Sequence, residues 1–329
     1  MIEPVLDVRD LRTYLKTPRG TAWAVDGVSF TLASGKTRAL VGESGCGKSM
    51  VALSIVQLLP EPAGFVDSGQ VLLEGNDLLD LTWNEMRAHR GRDLAMIFQE
   101  PMTSLNPVFT IGNQVAEAVA AHGGSKSHAR RRALELLERV GIEAPERVHG
   151  QYPHELSGGM RQRAMIAMAL ANRPKVLIAD EPTTALDVTV QAQILALIRE
   201  IQDEMGMAVL LITHDLGVVA EMADDVSVMY AGHVVESGPV RAIFHHPQHP
   251  YTRDLLESLP SRQSRGRDLA VIEGVVPGAT DWPTGCRYAS RCRFRVDACE
   301  ASGPPMIARD AAEVRCIRVD AIAQSEATR

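Results

Sequence analysis

No stretch of the chain is apolar for the roughly 18–20 residues that a membrane-spanning helix needs. The longest candidates, such as Ala208-Val209-Leu210-Leu211-Ile212, are strand-sized. Any membrane role is therefore expected to come through a partner. A positive charge balance is also lacking: 34 Lys and Arg stand against 41 Asp and Glu, a formal net charge of −7. That excludes a globally basic surface for DNA or RNA and leaves open only a local basic groove. Met1-Ile2-Glu3-Pro4-Val5 has no basic segment followed by an apolar one, so no signal peptide is expected and a cytosolic location is. Cysteine is absent between Cys46 and Cys286; the other four, Cys286, Cys292, Cys299 and Cys316, fall in the last 44 residues. In a cytosolic chain such a cluster suggests metal before disulfides. No internal repeat at solenoid spacing is present, and 329 residues suffice for one large domain and a smaller one.

What is present starts with Gly42-Glu43-Ser44-Gly45-Cys46-Gly47-Lys48-Ser49, which fits the phosphate-binding loop G-x-x-x-x-G-K-[ST]. A strand-like run, Thr37–Val41, precedes it and a helical run, Met50–Leu59, follows, which is the context the motif needs. The glycines let backbone N–H groups approach anionic oxygens, and the helix N-terminus adds a favourable dipole. Lys48 would reach the β- and γ-phosphates, and the Ser49 hydroxyl would ligate Mg²⁺. A chance Gly-rich turn is the bland alternative, and the flanking strand, Lys and Ser argue against it.

Upstream, residues 5–41 read as strands with turns. Tyr14 and Trp23 fall in the expected loops, where either could stack on a base or pack on the sheet. Gln70–Leu73 and Leu94–Phe98 read as strands, the second ending at Gln99-Glu100-Pro101. Residues from about 111 to 172 turn helical, and the Arg130-Arg131-Arg132 run reads as a solvated helix face rather than a nucleic-acid patch. Leu156-Ser157-Gly158-Gly159-Met160 opens a helix expected over Arg161–Ala171. Ser157 suits the N-cap and the glycines expose N–H groups, so an anion site and a plain Gly-rich cap both fit. Lys175–Ala179 reads as a buried strand ending in Asp180-Glu181-Pro182, where α/β folds place ligands. Asp180 would hold Mg²⁺, and Glu181 could orient or deprotonate water. Asp187 leads into a helix expected from about 188 to 204. The strand Ala208–Ile212 ends in Thr213-His214-Asp215, a position that favours a γ-phosphate contact for His214. Strands are expected at 225–230 and 233–236, a helix over Arg253–Leu259, a linker at 261–267 and disorder from about 320.

The order Gly42–Ser49, Gln99, Leu156–Met160, Asp180–Glu181, Asp187, His214 resembles the ATP-binding subunit of an ATP-binding cassette (ABC) transporter over about residues 5–240. By that resemblance these are the Walker A, Q-loop, signature, Walker B, D-loop and H-loop segments. Met160 stands where Gln is commoner in the family. The resemblance implies an α/β P-loop NTPase fold of ABC type, with an ATPase domain over 1–240, a helical subdomain over about 91–170 and an extension over 241–329. It implies two such domains, identical or paralogous, packed head to tail around two ATPs. The Ser157–Gly159 helix start of one chain would then cap the γ-phosphate held by the loop of the other. Glu181 would polarise water, His214 would hold the γ-phosphate, and Gln99 would sense Mg²⁺ and the attacking water. Of the two aromatics, Tyr14 fits the family's base-stacking position better.

Val25–Phe30, Gln99–Pro107 and His249-Pro250-Tyr251-Thr252 look like the oligopeptide/dipeptide importer ATPases. That resemblance implies an ATPase driving peptide uptake at the cytoplasmic face of the inner membrane, as a peripheral subunit. Its partners would be two transmembrane permeases and, indirectly, a solute-binding protein, with no nucleic acid. Uptake of nickel or another small solute, and a soluble non-transport ATPase, are the alternatives. Some members carry a 4Fe–4S cluster on four cysteines, matching Cys286, Cys292, Cys299 and Cys316, with Zn²⁺ or free thiols as the alternatives. Spacings of x5, x6 and x16 lack a C-x-x-C pair, so a zinc ribbon fits less well.

Overall fold

A computed structural model describes residues 3–100, 104–123, 125–184, 186–259 and 271–327. The linker expected at 261–267 lies outside the described residues, as do Pro101, Met102 and Thr103 of the Gln99–Pro107 run. The strands are β1 (Leu6–Thr17), β2 (Gly20–Leu32), β3 (Thr37–Val41), β4 (Gly64–Leu73), β5 (Asn76–Asp77), β6 (Leu94–Ile97), β7 (Val176–Asp180), β8 (Ala208–Ile212), β9 (Asp225–Tyr230), β10 (His233–Pro239), β11 (Ile307–Arg309) and β12 (Ala312–Val314). The chain is α/β and packs as two compact units. The first comprises Met1–Leu6, Leu32–Thr37 and Leu72–Ile212; the second comprises Asp7–Thr31, Arg38–Val71 and Thr213–Arg329.

In the first unit β6, β7 and β8 run parallel, with Ile97 opposite Ala179 and Asp180 opposite Ile212. Every residue of β7 and β8 is buried. That is why these segments read as unbroken apolar runs rather than alternating ones: a parallel strand covered on both faces has no solvent side. The helices Ile111–Ala120, Lys126–Arg139, Pro145–His149 and Gly158–Ala169 pack on one another, and β6 lies before them in the chain. The helix Val188–Met205 starts on an Asp187 cap and ends at Gly206, whose φ of 64° closes it in the left-handed conformation.

In the second unit β2, β1 and β4 lie side by side. Separately, β3 runs parallel to β9, and β9, β10, β12 and β11 follow in antiparallel order. Tyr14 and Trp23 lie on β1 and β2, not in loops as expected. Tyr14 stacks on Phe65 at 5.4 Å and meets Trp23 at 5.4 Å, so its ring is engaged with strand neighbours. The expected disorder from residue 320 is also corrected. Val319–Ala327 is a helix, anchored by buried Val319 and Ile322 against Val314, Cys316 and Phe294.

The scarce aromatics are concentrated in this unit. Tyr230, Tyr251 and Tyr288 are fully buried, with ring centroids 4.7, 5.1 and 5.3 Å apart. Each such pair is worth about 0.5–1.5 kcal/mol beyond area burial. Tyr251 opens the helix Pro250–Glu257, so residues far beyond the phosphate loop share one core with Val41 and Val228.

Candidate functional site

The phosphate loop joins β3 to the helix Lys48–Ile55 in the second unit. Gly42 and Gly47 have φ of 151° and 108°, and a Cβ there would overlap the carbonyl oxygens of Met229 and Ala24. Only glycine lets the loop lie this close to its neighbours. The Lys48 ammonium is nearly buried and donates to the Gly42 and Glu43 carbonyls at 2.8 and 3.0 Å. Ser44 and Gly45 are exposed, and Ser49 sits in the first helical turn. Burial pushes the Cys46 thiol up, against the pull of Lys48, so it packs as a neutral group.

His214 belongs to the same unit. The Thr213 N–H donates to the Leu40 carbonyl at 3.3 Å, two residues before Gly42, which sets the His214 turn at the loop's end of β3. Asp215 accepts from the Gly217 and Val218 N–H groups, leaving the His214 side chain exposed.

The first unit carries the carboxylates. Asp180 ends β7 and is 4% exposed. Glu181 follows with φ 47°, an uncommon conformation for a non-glycine residue, and its N–H donates to the Ile212 carbonyl at 2.8 Å. Its carboxylate accepts from Gln99 Nε2 at 3.1 Å and from the Thr184 hydroxyl at 2.8 Å. The structure thus brings together two residues read separately from the sequence.

Ser157 caps the helix Gly158–Ala169 by accepting from Met160 N–H at 3.3 Å. Ser157 and Gly158 are exposed. A Cβ on Gly159 would meet Val190 at 2.9 Å, so this turn rests on the start of the Val188–Met205 helix. The Asp187 side chain accepts from Val190 N–H at 2.9 Å and holds that start in place.

Oxygen donors from Ser49, Gln99 and Asp180 are of the kind Mg²⁺ takes. The cysteines are a different case. Cys286, Cys292, Cys299 and Cys316 line one cavity of about 20 Å³, with Tyr288 and Phe294. Burial pushes the Cys286, Cys292 and Cys316 thiols up, Cys292 to about 11. Yet among the described residues no three His, Cys, Asp or Glu side chains are disposed to hold a metal ion. The space has room for about one water-sized group. As the side chains stand, the expected 4Fe–4S centre is not supported: the donors are of the right kind, and the cavity is too small.

Sequence reading missed Arg291 and Tyr251, both of which touch the phosphate loop. Phe65, under Tyr14, was missed too. His249-Pro250-Tyr251-Thr252 was the only local signal for any of these.

A glycine-forced phosphate loop and strand-end carboxylates define a P-loop nucleotide-binding protein. A family model described as ABC transporter matches residues 25–184, and one described as oligopeptide/dipeptide transporter, C-terminal region, matches residues 235–299. The chain is 50% identical to the oligopeptide transport ATP-binding protein OppD of Bacillus subtilis, over 92% of this chain and 85% of that one. It is 50% identical to the dipeptide transport ATP-binding protein DppD of the same organism, over 96% and 95%. It also resembles a solved dimeric ATP-binding cassette, MJ0796, in a post-hydrolysis state with ADP and Pi. There the TM-score is 0.64 and the identity 28%, over 72% of this chain and 99% of that one. The chain belongs to the ATP-binding proteins of ABC transporters, in the oligopeptide/dipeptide group.

Proposed function

We propose that this chain binds and hydrolyses ATP to drive peptide uptake by an ABC importer. The observation that carries the reading is the phosphate loop, whose Gly42 and Gly47 are sterically obligatory and whose lysine is held at its centre. The family membership and the names of its relatives support peptides as cargo.

On this reading Gly42–Ser49 cradles the phosphates of ATP through backbone N–H groups and Lys48. Ser49, Asp180 and Gln99 hold Mg²⁺, which supplies charge neutralisation at the phosphates. Glu181 orients and deprotonates water, His214 contacts the γ-phosphate, and Tyr14 packs beside the base. Ser157, Gly158 and Gly159 serve the γ-phosphate of a second cassette, identical or paralogous, with Asp187 fixing the turn that presents them. Residues 1–240 act as the ATPase domain and 241–329 as the extension. No helix among the described residues is long and apolar enough to cross a membrane. Two permease subunits would therefore bring the chain to the cytoplasmic face of the membrane, with a solute-binding protein delivering cargo outside. A 4Fe–4S cluster, or zinc, on Cys286, Cys292, Cys299 and Cys316 would need the cavity to widen, and support for it is the shared cavity alone. Iron, sulfide and zinc analysis after anaerobic purification decides it.

The test is reconstitution of the complex in vesicles. Peptide-loaded binding protein should stimulate ATP hydrolysis and peptide should accumulate. Stimulation by nickel or another small solute in place of peptide would overturn the cargo assignment.

A further inference from the structure

Glu43, the second residue of the phosphate loop, is held by two groups from far along the chain. Its backbone N–H donates to Tyr251 Oη at 2.9 Å. Its carboxylate oxygens accept from Arg291 Nη1 at 3.1 and 3.0 Å. Arg291 is itself fixed: it donates to the Glu273 carbonyl at 2.8 Å, to the Ile272 carbonyl at 3.1 Å and to Tyr230 Oη at 3.3 Å. Its side chain is 5% exposed. Tyr251 is fully buried between Tyr230 and Tyr288. Tyr230 ends β9, the strand paired with β3, which feeds the loop.

These contacts bear on anion binding. A carboxylate beside a polyphosphate site repels its ligand, and more strongly where water is partly excluded. A guanidinium whose fork is already fixed cancels that charge with little further loss of side-chain freedom. Meanwhile the tyrosine oxygen takes up the Glu43 N–H and fixes the first peptide of the loop. We infer that Arg291 and Tyr251 are positioning residues for ATP: the C-terminal extension sets the loop's affinity by neutralising Glu43 and fixing its backbone. The inference rests on the reading of Gly42–Ser49 as the ATP site.

The experiment uses the assembled transporter, with ATP affinity from a fluorescent ATP analogue and steady-state hydrolysis. Arg291→Gln is expected to raise Kd and KM about tenfold, the scale of one charged hydrogen bond, with kcat within twofold. Glu43→Gln in the same chain should restore most of the affinity, because the unpaired carboxylate is then gone. The Arg291→Gln penalty should shrink as salt is raised. Tyr251→Phe should weaken ATP severalfold and should not be rescued by Glu43→Gln, which leaves the N–H in place. If Arg291→Gln does not fold, Arg291→Lys keeps the charge, and its KM should stay within threefold of wild type. An unchanged KM in Arg291→Gln, a loss that Glu43→Gln does not relieve, or a tenfold loss in Arg291→Lys overturns the inference. Failure of the wild-type complex to bind ATP would instead overturn the assignment of the loop.

Discussion

Gln99 Nε2 donates to Glu181 Oε2 at 3.1 Å, across 82 residues of sequence. The contact follows from register: Ile97 on β6 lies opposite Ala179 on β7, and two residues further along each strand's direction lie Gln99 and Glu181. Glu181 is thereby held by an amide and by the Thr184 hydroxyl. Both bonds fall on Oε2. Gln99→Ala is expected to lower kcat by about tenfold, the loss of one hydrogen bond to a charged group, with the KM for ATP changed less than threefold. Steady-state ATPase assays of the assembled complex check this.

Gly47→Ala tests whether the loop geometry is obligatory. The added Cβ would overlap the Ala24 carbonyl at a φ of 108°. The variant is expected to lose about 3 kcal/mol of stability, the scale of backbone strain plus overpacking, and to lose detectable ATP binding. Urea unfolding and nucleotide titration measure both.

Tyr288→Ala tests how firmly the extension shares the core of the second unit. The ring touches both Tyr230 and Tyr251. A cost of about 3–5 kcal/mol is expected, as for other large aromatic truncations, read as a lower urea midpoint. A change under 1 kcal/mol would mean that the tyrosine cluster adds little to that core.

Asp26 gives the second unit an acid-sensitive point. Its carboxyl is held well below the usual carboxylate range, first by the hydrogen bond with His233 at 2.9 Å and then by Arg287, against the opposing effect of burial. Arg12 also pairs with it. Since the folded carboxyl releases its proton more readily than an unfolded one near pH 3.9, the stability it contributes is complete above about that pH. It is lost as pH falls through the folded pKa. Asp26→Asn should therefore be less stable at neutral pH and show a shallower fall in unfolding midpoint below about pH 4. Thermal melts across that range read the difference.

Much of this was legible because it is local. The phosphate loop carries its own glycines and lysine, and β7 and β8 announce themselves as unbroken apolar runs. The Ser157 and Asp187 caps are written in the residues that precede their helices. Tyr14 was misplaced because Leu11–Thr17 mixes Arg, Thr and Lys with its apolar residues, while the left-handed Asp10, at φ 45°, interrupts the strand pattern. In the helix Val319–Ala327 the buried anchors among the described residues are Val319 and Ile322, too few for a periodic signal. Ala312–Val314 and Ile307–Arg309 are three-residue strands: the first exists because β10 offers it an edge, and the second pairs in turn with the first. Arg291 and Tyr251 reach Glu43 only through the tertiary fold, across 248 and 208 residues, a separation no local pattern encodes.

The most direct test of the central claim is ATP hydrolysis by the assembled complex carrying Glu181→Gln. ATP binding is expected to be retained and hydrolysis to fall at least about 100-fold, the scale of losing a general base. Hydrolysis near the wild-type rate would contradict that claim.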